Sequence, residues 1–115
     1  MRIVVHYNAA AEGARDTVRQ IRAAGGDGDA ISGDLTQPDA PAELISAVIA
    51  RFGALDVLVN SAAVMVRAPF GDVTPKVWDE VMALNQRAPF FLAQAAAGHL
   101  RTARGVIVNI ADLAA

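Results

Sequence analysis

The stretch Leu55-Asp56-Val57-Leu58-Val59-Asn60-Ser61-Ala62-Ala63 sets the terms for this chain. Apolar residues at 55, 57, 58 and 59 give way at once to a small polar cluster. That is the pattern of a strand buried on both faces that delivers Asn60 to the edge of a parallel sheet. Ligands of open α/β sheets bind just beyond the carboxyl ends of the strands, so function is expected to gather at Asn60 and the residues after it.

Segments on either side alternate in the same manner. Arg2 to Tyr7 is rich in β-branched residues and reads as a strand, and Asn8 begins a turn into a helix. That helix shows a face of Ala14, Val18 and Ile21 and stops at Gly25-Gly26. Asp29 to Asp34 reads as a second strand. A second helix has Pro41 in its first turn, Glu43 near the positive end of its dipole, and a stripe of Leu44, Ile45, Val48 and Ile49 before Gly53. An apolar loop runs from Val64 to Gly71. Thr74 as N-cap and Pro75 at the first helical position then open a long helix, with Val77, Val81 and Leu84 on its stripe, expected to reach Leu100. Val106 to Ile110 is the fourth strand. Four strands alternating with three helices give βαβαβαβ, an α/β fold with a parallel sheet.

Length and composition narrow the function classes. At 115 residues the chain is the size of one domain, 1–115. The hydrophobic fraction of 54% owes much to alanine, and no apolar run approaches the roughly 18 residues of a membrane span. There is no Cys, and the two His are far apart, so no metal site is expected. A net charge of -2, with nine Arg and one Lys scattered along the chain, leaves no footprint for nucleic acid. Met1-Arg2-Ile3-Val4-Val5 turns polar at His6 and does not read as a secretory signal, so a cytoplasmic location is expected.

Pro89 falls inside the long helix, where it cannot donate to the carbonyl of Asn85. Two readings fit it. The freed Asn85 carbonyl holds a water or a side chain, or the helix simply kinks to pack around the sheet.

Four segments in this order resemble the short-chain dehydrogenase/reductase family. Asn60-Ser61-Ala62-Ala63 looks like that family's Asn-Asn-Ala-Gly element, with Ser and Ala in place of the second Asn and the Gly. Asp34-Leu35 looks like the Asp-Val/Leu pair that meets the adenine. Asn85 falls where the family has its helix Asn, whose backbone carbonyl binds a relay water, and Val106 to Ile110 looks like the family's fifth strand. The resemblance implies a Rossmann-like doubly wound sheet and hydride transfer from a nicotinamide cofactor. It implies Asn8, Asp34, Leu35, Asn60, Ser61 and Ala62 at the cofactor and Asn85 and Asp112 at the chemistry.

Position 112 departs from the commonest pattern. Most of the family has a Ser there, whereas Asp112 is similar to the pteridine reductases, whose second strand Val5-His6-Tyr7-Asn8 also resembles. An ionised carboxylate repels a developing alkoxide unless it is protonated or receives a donor from the substrate, so ring nitrogens and amino groups suit it better than a plain ketone. Alternatively Asp112 is a turn or cap residue in a degraded site. No acidic residue lies between Val5 and Ala11 to meet an adenosine ribose, which leans the cofactor toward NADP and leaves NAD open.

The family's Gly-rich turn should precede Met1, its Tyr-x-x-x-Lys element should follow Ala115, and neither lies in the chain. The chain reads as an internal segment, inactive or nearly so by itself, of a reductase acting on a carbonyl or pterin-like small molecule. A 3-oxoacyl carrier-protein reductase, a general carbonyl reductase and a non-catalytic assembly module stay as alternatives, and the helix 74–100 is the expected surface for a homo-oligomer. The family's first strand belongs between the strands that are first and third here. Either these two close on each other in the order 2-1-3-4, or two buried edges stay unpaired.

Overall fold

Strand β1 (Arg2–Tyr7) leads into helix α1 (Ala11–Ala23), β2 (Asp27–Ser32) and α2 (Ala40–Phe52) in the computed structural model, which describes residues 1–112. Then come β3 (Val57–Asn60), α3 (Pro75–Met82), a π-helical turn over Ala83–Arg87, α4 (Ala88–Ala103) and β4 (Val106–Asn109). The class is the expected α/β one. Its strands form two separate parallel pairs, β1 with β2 and β3 with β4. Of the two arrangements open from the sequence, the chain adopts the one with unpaired edges.

Helix α1 covers the first pair. It buries Ala14 and Val18, and its Arg22 reaches the carbonyl of Gly28 in β2 at 2.7 Å. The core lies elsewhere, where Leu35, Ile45, Ala88, Leu92, Ala96 and Leu100 pack α2 against α4, with Leu58 of β3 against them. Ala88 and Ala96 are almost wholly buried, and such small side chains at a helix contact let two helices approach closely. Arg51 of α2 pairs with Asp29 of β2 at 2.5 Å and ties the two halves together. A Cα radius of gyration of 15.4 Å exceeds the about 13 Å of a compact chain this long, because the halves do not close on each other.

Three expectations need correction. β3 is not buried on both faces, since Val57 and Val59 are about half exposed while Leu58 and Asn60 turn inward. Helices cover only one face of it, so the apolar run met the requirement of a two-sided layer that these residues do not build. β2 begins at Asp27 and ends at Ser32, two residues earlier than its composition suggested, because it pairs in register from Arg2↔Asp27 to Tyr7↔Ser32. The long helix is not uniform. It breaks into α3 and α4 at the π turn and runs on to Ala103, and Trp78, Phe90 and Phe91 stand exposed on it.

Candidate functional site

The carboxyl ends of both strand pairs converge on the π turn. An N–H to carbonyl bond from Ala88 to Ala83, five residues back, marks that turn. The wider turn places Pro89 in the first turn of α4, where its missing N–H costs little. Pro89 has no N–H to donate to the Asn85 carbonyl, and the π turn is where the helical run changes its pitch.

Two side chains of the turn reach out to the two strand ends. The Asn85 amide brackets the backbone of Val64, accepting from its N–H and donating to its carbonyl, both at 2.8 Å. This pins the loop that leaves β3. Arg87 donates through Nη2 to the carbonyl of Thr36, in the loop that leaves β2. Both pairs therefore point their carboxyl ends the same way.

Within the first pair, Asn8 is exposed just past β1, and Gly33 donates its N–H to the Tyr7 carbonyl at 2.9 Å. The Nε2–H of His6 donates to the Gly33 carbonyl at 2.7 Å, so this histidine is packed rather than liganded. Asp34 sits beyond β2 and not in it. Its carboxylate accepts from the Thr36 hydroxyl at 2.6 Å, the Thr36 N–H at 3.0 Å and the Gln37 amide at 3.2 Å. These donors, the Thr36 hydroxyl first, hold the Asp34 carboxyl below its ordinary value. Leu35 turns its side chain into the core.

A lowered value fixes the sign of a pH effect. Stability from Asp34 is present above the ordinary carboxylate range and is lost as the pH falls through the depressed folded value. Asp34→Asn keeps the shape and removes the charge. Its urea midpoint is expected to lie below the wild type's near neutrality, and the gap should close as the pH falls from about 7 to about 2. A gap that stays constant over that range would show that Asp34 does not act through its charge.

In the second pair, Asn60 and Asn109 end their strands side by side. Asn60 donates its amide to Oδ1 of Asn109 at 2.9 Å, while its own Oδ1 is buried without a partner. Ser61 and Ala62 follow, exposed. Asp112 lies past the carboxyl end of β4, also exposed. Neither Asn109 nor Arg87 stood out in the sequence. A signal existed for each: Val-Leu-Val-Asn and Val-Ile-Val-Asn repeat the same strand ending, and Arg87 shares the turn that Pro89 forces.

The model of the short chain dehydrogenase family matches residues 1–115. The chain belongs to the short-chain dehydrogenase family. It is 34% identical over 113 residues to versicolorin reductase 1 of Aspergillus parasiticus, covering 98% of this chain and 43% of that protein. A hydroxynaphthalene reductase-like protein of Metarhizium guizhouense is 37% identical, with 98% and 42% covered. Among solved structures, a metagenomic short-chain oxidoreductase in complex with NADP superposes with a TM-score of 0.89 at 37% identity, over 98% of this chain and 52% of that one. The chain thus spans less than half the length of the curated relatives it matches.

That oxidoreductase is in complex with NADP, and a further neighbour is in complex with NADPH, consistent with NADP as the cofactor. The Asp34 carboxyl is held in its ionised form, and no carboxylate stands from His6 to Ala10. No group of His, Cys, Asp and Glu among the described residues could hold a metal. No helix among them is long and apolar enough to cross a membrane.

Proposed function

We propose that residues 1–115 form one partial dinucleotide-binding domain that supplies the adenosine side and one catalytic wall of an NADPH-dependent reductase. The π turn supports this reading, because it joins the loops that leave β2 and β3 through Arg87 and Asn85. In the whole enzyme Asp34 accepts from the adenine amine and the backbone of Leu35 lies beside the ring. Asn8 flanks the ribose, and Asn60, Ser61 and Ala62 line the path toward the nicotinamide. The cofactor supplies the hydride. The Asn85 carbonyl, denied a donor by Pro89, positions a water for proton transfer, and Asp112 orients the substrate.

The substrate class in this reading is a small carbonyl compound on a flat ring system. Relatives named for versicolorin and hydroxynaphthalene reduction support a ring substrate of that kind, and Asp112 favours a pterin-like ring with N–H donors. The exposed Trp78, Phe90 and Phe91 support self-association through the helical run 74–100. A cytoplasmic location belongs to the same proposal.

Calorimetry with adenosine fragments tests the cofactor side without any need for turnover. The 115-residue chain is expected to bind 2',5'-ADP more tightly than 5'-AMP, and Asp34→Ala is expected to weaken both by about tenfold, the loss of a charge-assisted hydrogen bond. Equal binding of the two fragments would overturn the NADP preference. No NADPH oxidation above blank is expected from the chain itself, because Tyr7 lies in β1 while Lys76, the one lysine, lies in α3 beside Glu80 at 3.9 Å.

A further inference from the structure

The loop that leaves β2 is fastened to the helical run at two successive residues. Leu35 is buried in the core that also holds Ala88 and Leu92 of α4. One residue on, the Thr36 carbonyl accepts from Nη2 of Arg87, which directly precedes Ala88. The peptide that carries this carbonyl is engaged at its other end too, because the Gln37 N–H closes a turn onto the Asp34 carbonyl at 3.0 Å. Arg87 thus grips a peptide plane that stands between two residues, Thr36 and Gln37, whose side chains both reach back to Asp34.

An ionised carboxylate offers about four lone-pair sites. Oδ1 of Asp34 takes the Thr36 hydroxyl and N–H, and Oδ2 takes the Gln37 side-chain amide. The open acceptor position therefore lies on Oδ2, and its direction follows from how Thr36 and Gln37 are held. We propose that Arg87 is a positioning residue, which aims this open site of Asp34 at an exocyclic amine by fixing the peptide between Thr36 and Gln37. The role presupposes Asp34 as the adenine acceptor proposed above. Arg87 acts at one remove, since the groups that hold the Asp34 carboxyl below its ordinary value are Thr36, first by its hydroxyl, and then Gln37.

A guanidinium on an exposed turn has two plainer uses. It can attract a phosphate directly, or it can simply add to the stability of the fold. The first would act on a nucleotide whether or not Asp34 is present. The second would lower the urea midpoint and leave the Asp34 carboxyl as it is. Positioning through the Thr36 carbonyl differs from both, because it needs a donor at residue 87 and is felt at Asp34 before any ligand is added. A lysine still donates, whereas an alanine does not.

The test uses the 115-residue chain with Arg87→Ala and Arg87→Lys, read by carbon-detected titration of the side-chain carboxyls and by calorimetry with 5'-AMP and 2',5'-ADP. Arg87→Ala is expected to raise the Asp34 titration toward the ordinary carboxylate range, and Arg87→Lys to keep it low. Asp16 on α1 is the internal control. Its carboxyl is held low by Arg19 and then Gln20, so it should stay in place in both variants. Both fragments are expected to bind Arg87→Ala about fivefold more weakly, and in an Asp34→Ala background the change at Arg87 is expected to add nothing. An Asp34 titration that does not move in Arg87→Ala, or that moves together with Asp16, would overturn the proposal. So would an equal further loss of binding in the Asp34→Ala background, which would mean that Arg87 meets the nucleotide itself. A wild type that binds neither fragment would overturn the adenine reading alone, with Arg87 then judged by the titration.

Discussion

Gly105→Ala is expected to separate β3 from β4. A Cβ at this position would stand 2.2 Å from the Asp56 carbonyl oxygen, 2.9 Å from its carbon and 2.9 Å from Cδ2 of Leu100. The Asp56 oxygen cannot move aside by itself, because it accepts the N–H of Val106 at 2.9 Å and that bond opens the ladder. Nor can Gly105 retreat, since its own N–H closes the end of α4 on the Leu100 carbonyl at 2.8 Å. Overpacking of this kind costs about 3 kcal/mol, the upper part of the usual range. Left-handed backbone is not the cause, for the positive φ of 53° at this helix end belongs to Arg104. The expected readout is a loss of exchange protection at Val106–Asn109 and a urea midpoint well below the wild type's. A midpoint equal to wild type would mean that the strand entry is looser than its contacts imply.

Leu100→Ala is the second large effect. Leu100 is 6% exposed at the end of the core that joins α2 to α4, away from the open cleft between the two strand pairs, which could relax around a cavity. Leucine-to-alanine changes at such sites cost about 2–5 kcal/mol. That is a large part of the roughly 5–15 kcal/mol that holds an ordinary domain together. Because this core is the one that packs α2 against α4, a sharp drop in the thermal midpoint is expected. The double variant Leu100→Ala, Gly105→Ala separates the causes. Removing the Leu100 side chain relieves only one of the contacts of the new Cβ, so the double variant should be no more stable than Gly105→Ala. Recovery in the double variant would place the obstruction at Leu100 rather than at the Asp56 backbone.

Local rules made much of this fold legible. The β-branched run of Arg2 to Tyr7, the Gly53 stop and the Thr74-Pro75 helix start all depend on neighbours in sequence, and all stand where their residues placed them. Thr74 does accept the N–H of Val77 at 3.3 Å, as an N-cap should. What the sequence misled on were properties that depend on distant partners. Val57 and Val59 carry the composition of a doubly covered strand, yet cover is supplied by other segments, and only one side has it. The extent of β2 follows its pairing with β1, which weak apolar content at Asp29 to Asp34 could not reveal. At the site, the contacts of Asn85 are made by its side-chain amide, on the backbone of Val64. Pro89 marked the turn that holds Arg87, but the partner of Arg87, the Thr36 carbonyl, lies 51 positions away and is set by the fold.

A π turn holds one residue more than a straight α-helix needs to join the same two ends. Shortening the segment Ala83–Arg87 by one residue would therefore let α3 and α4 keep their present faces, with Ala88, Leu92, Ala96 and Leu100 still on the core. The change would fall on direction alone, because Asn85 and Arg87 would no longer project from one widened turn toward Val64 and Thr36 at once. Length variation at this single point thus separates folding from the alignment of the two loops. A lineage could lose or regain the site by one codon without disturbing the helix that carries it.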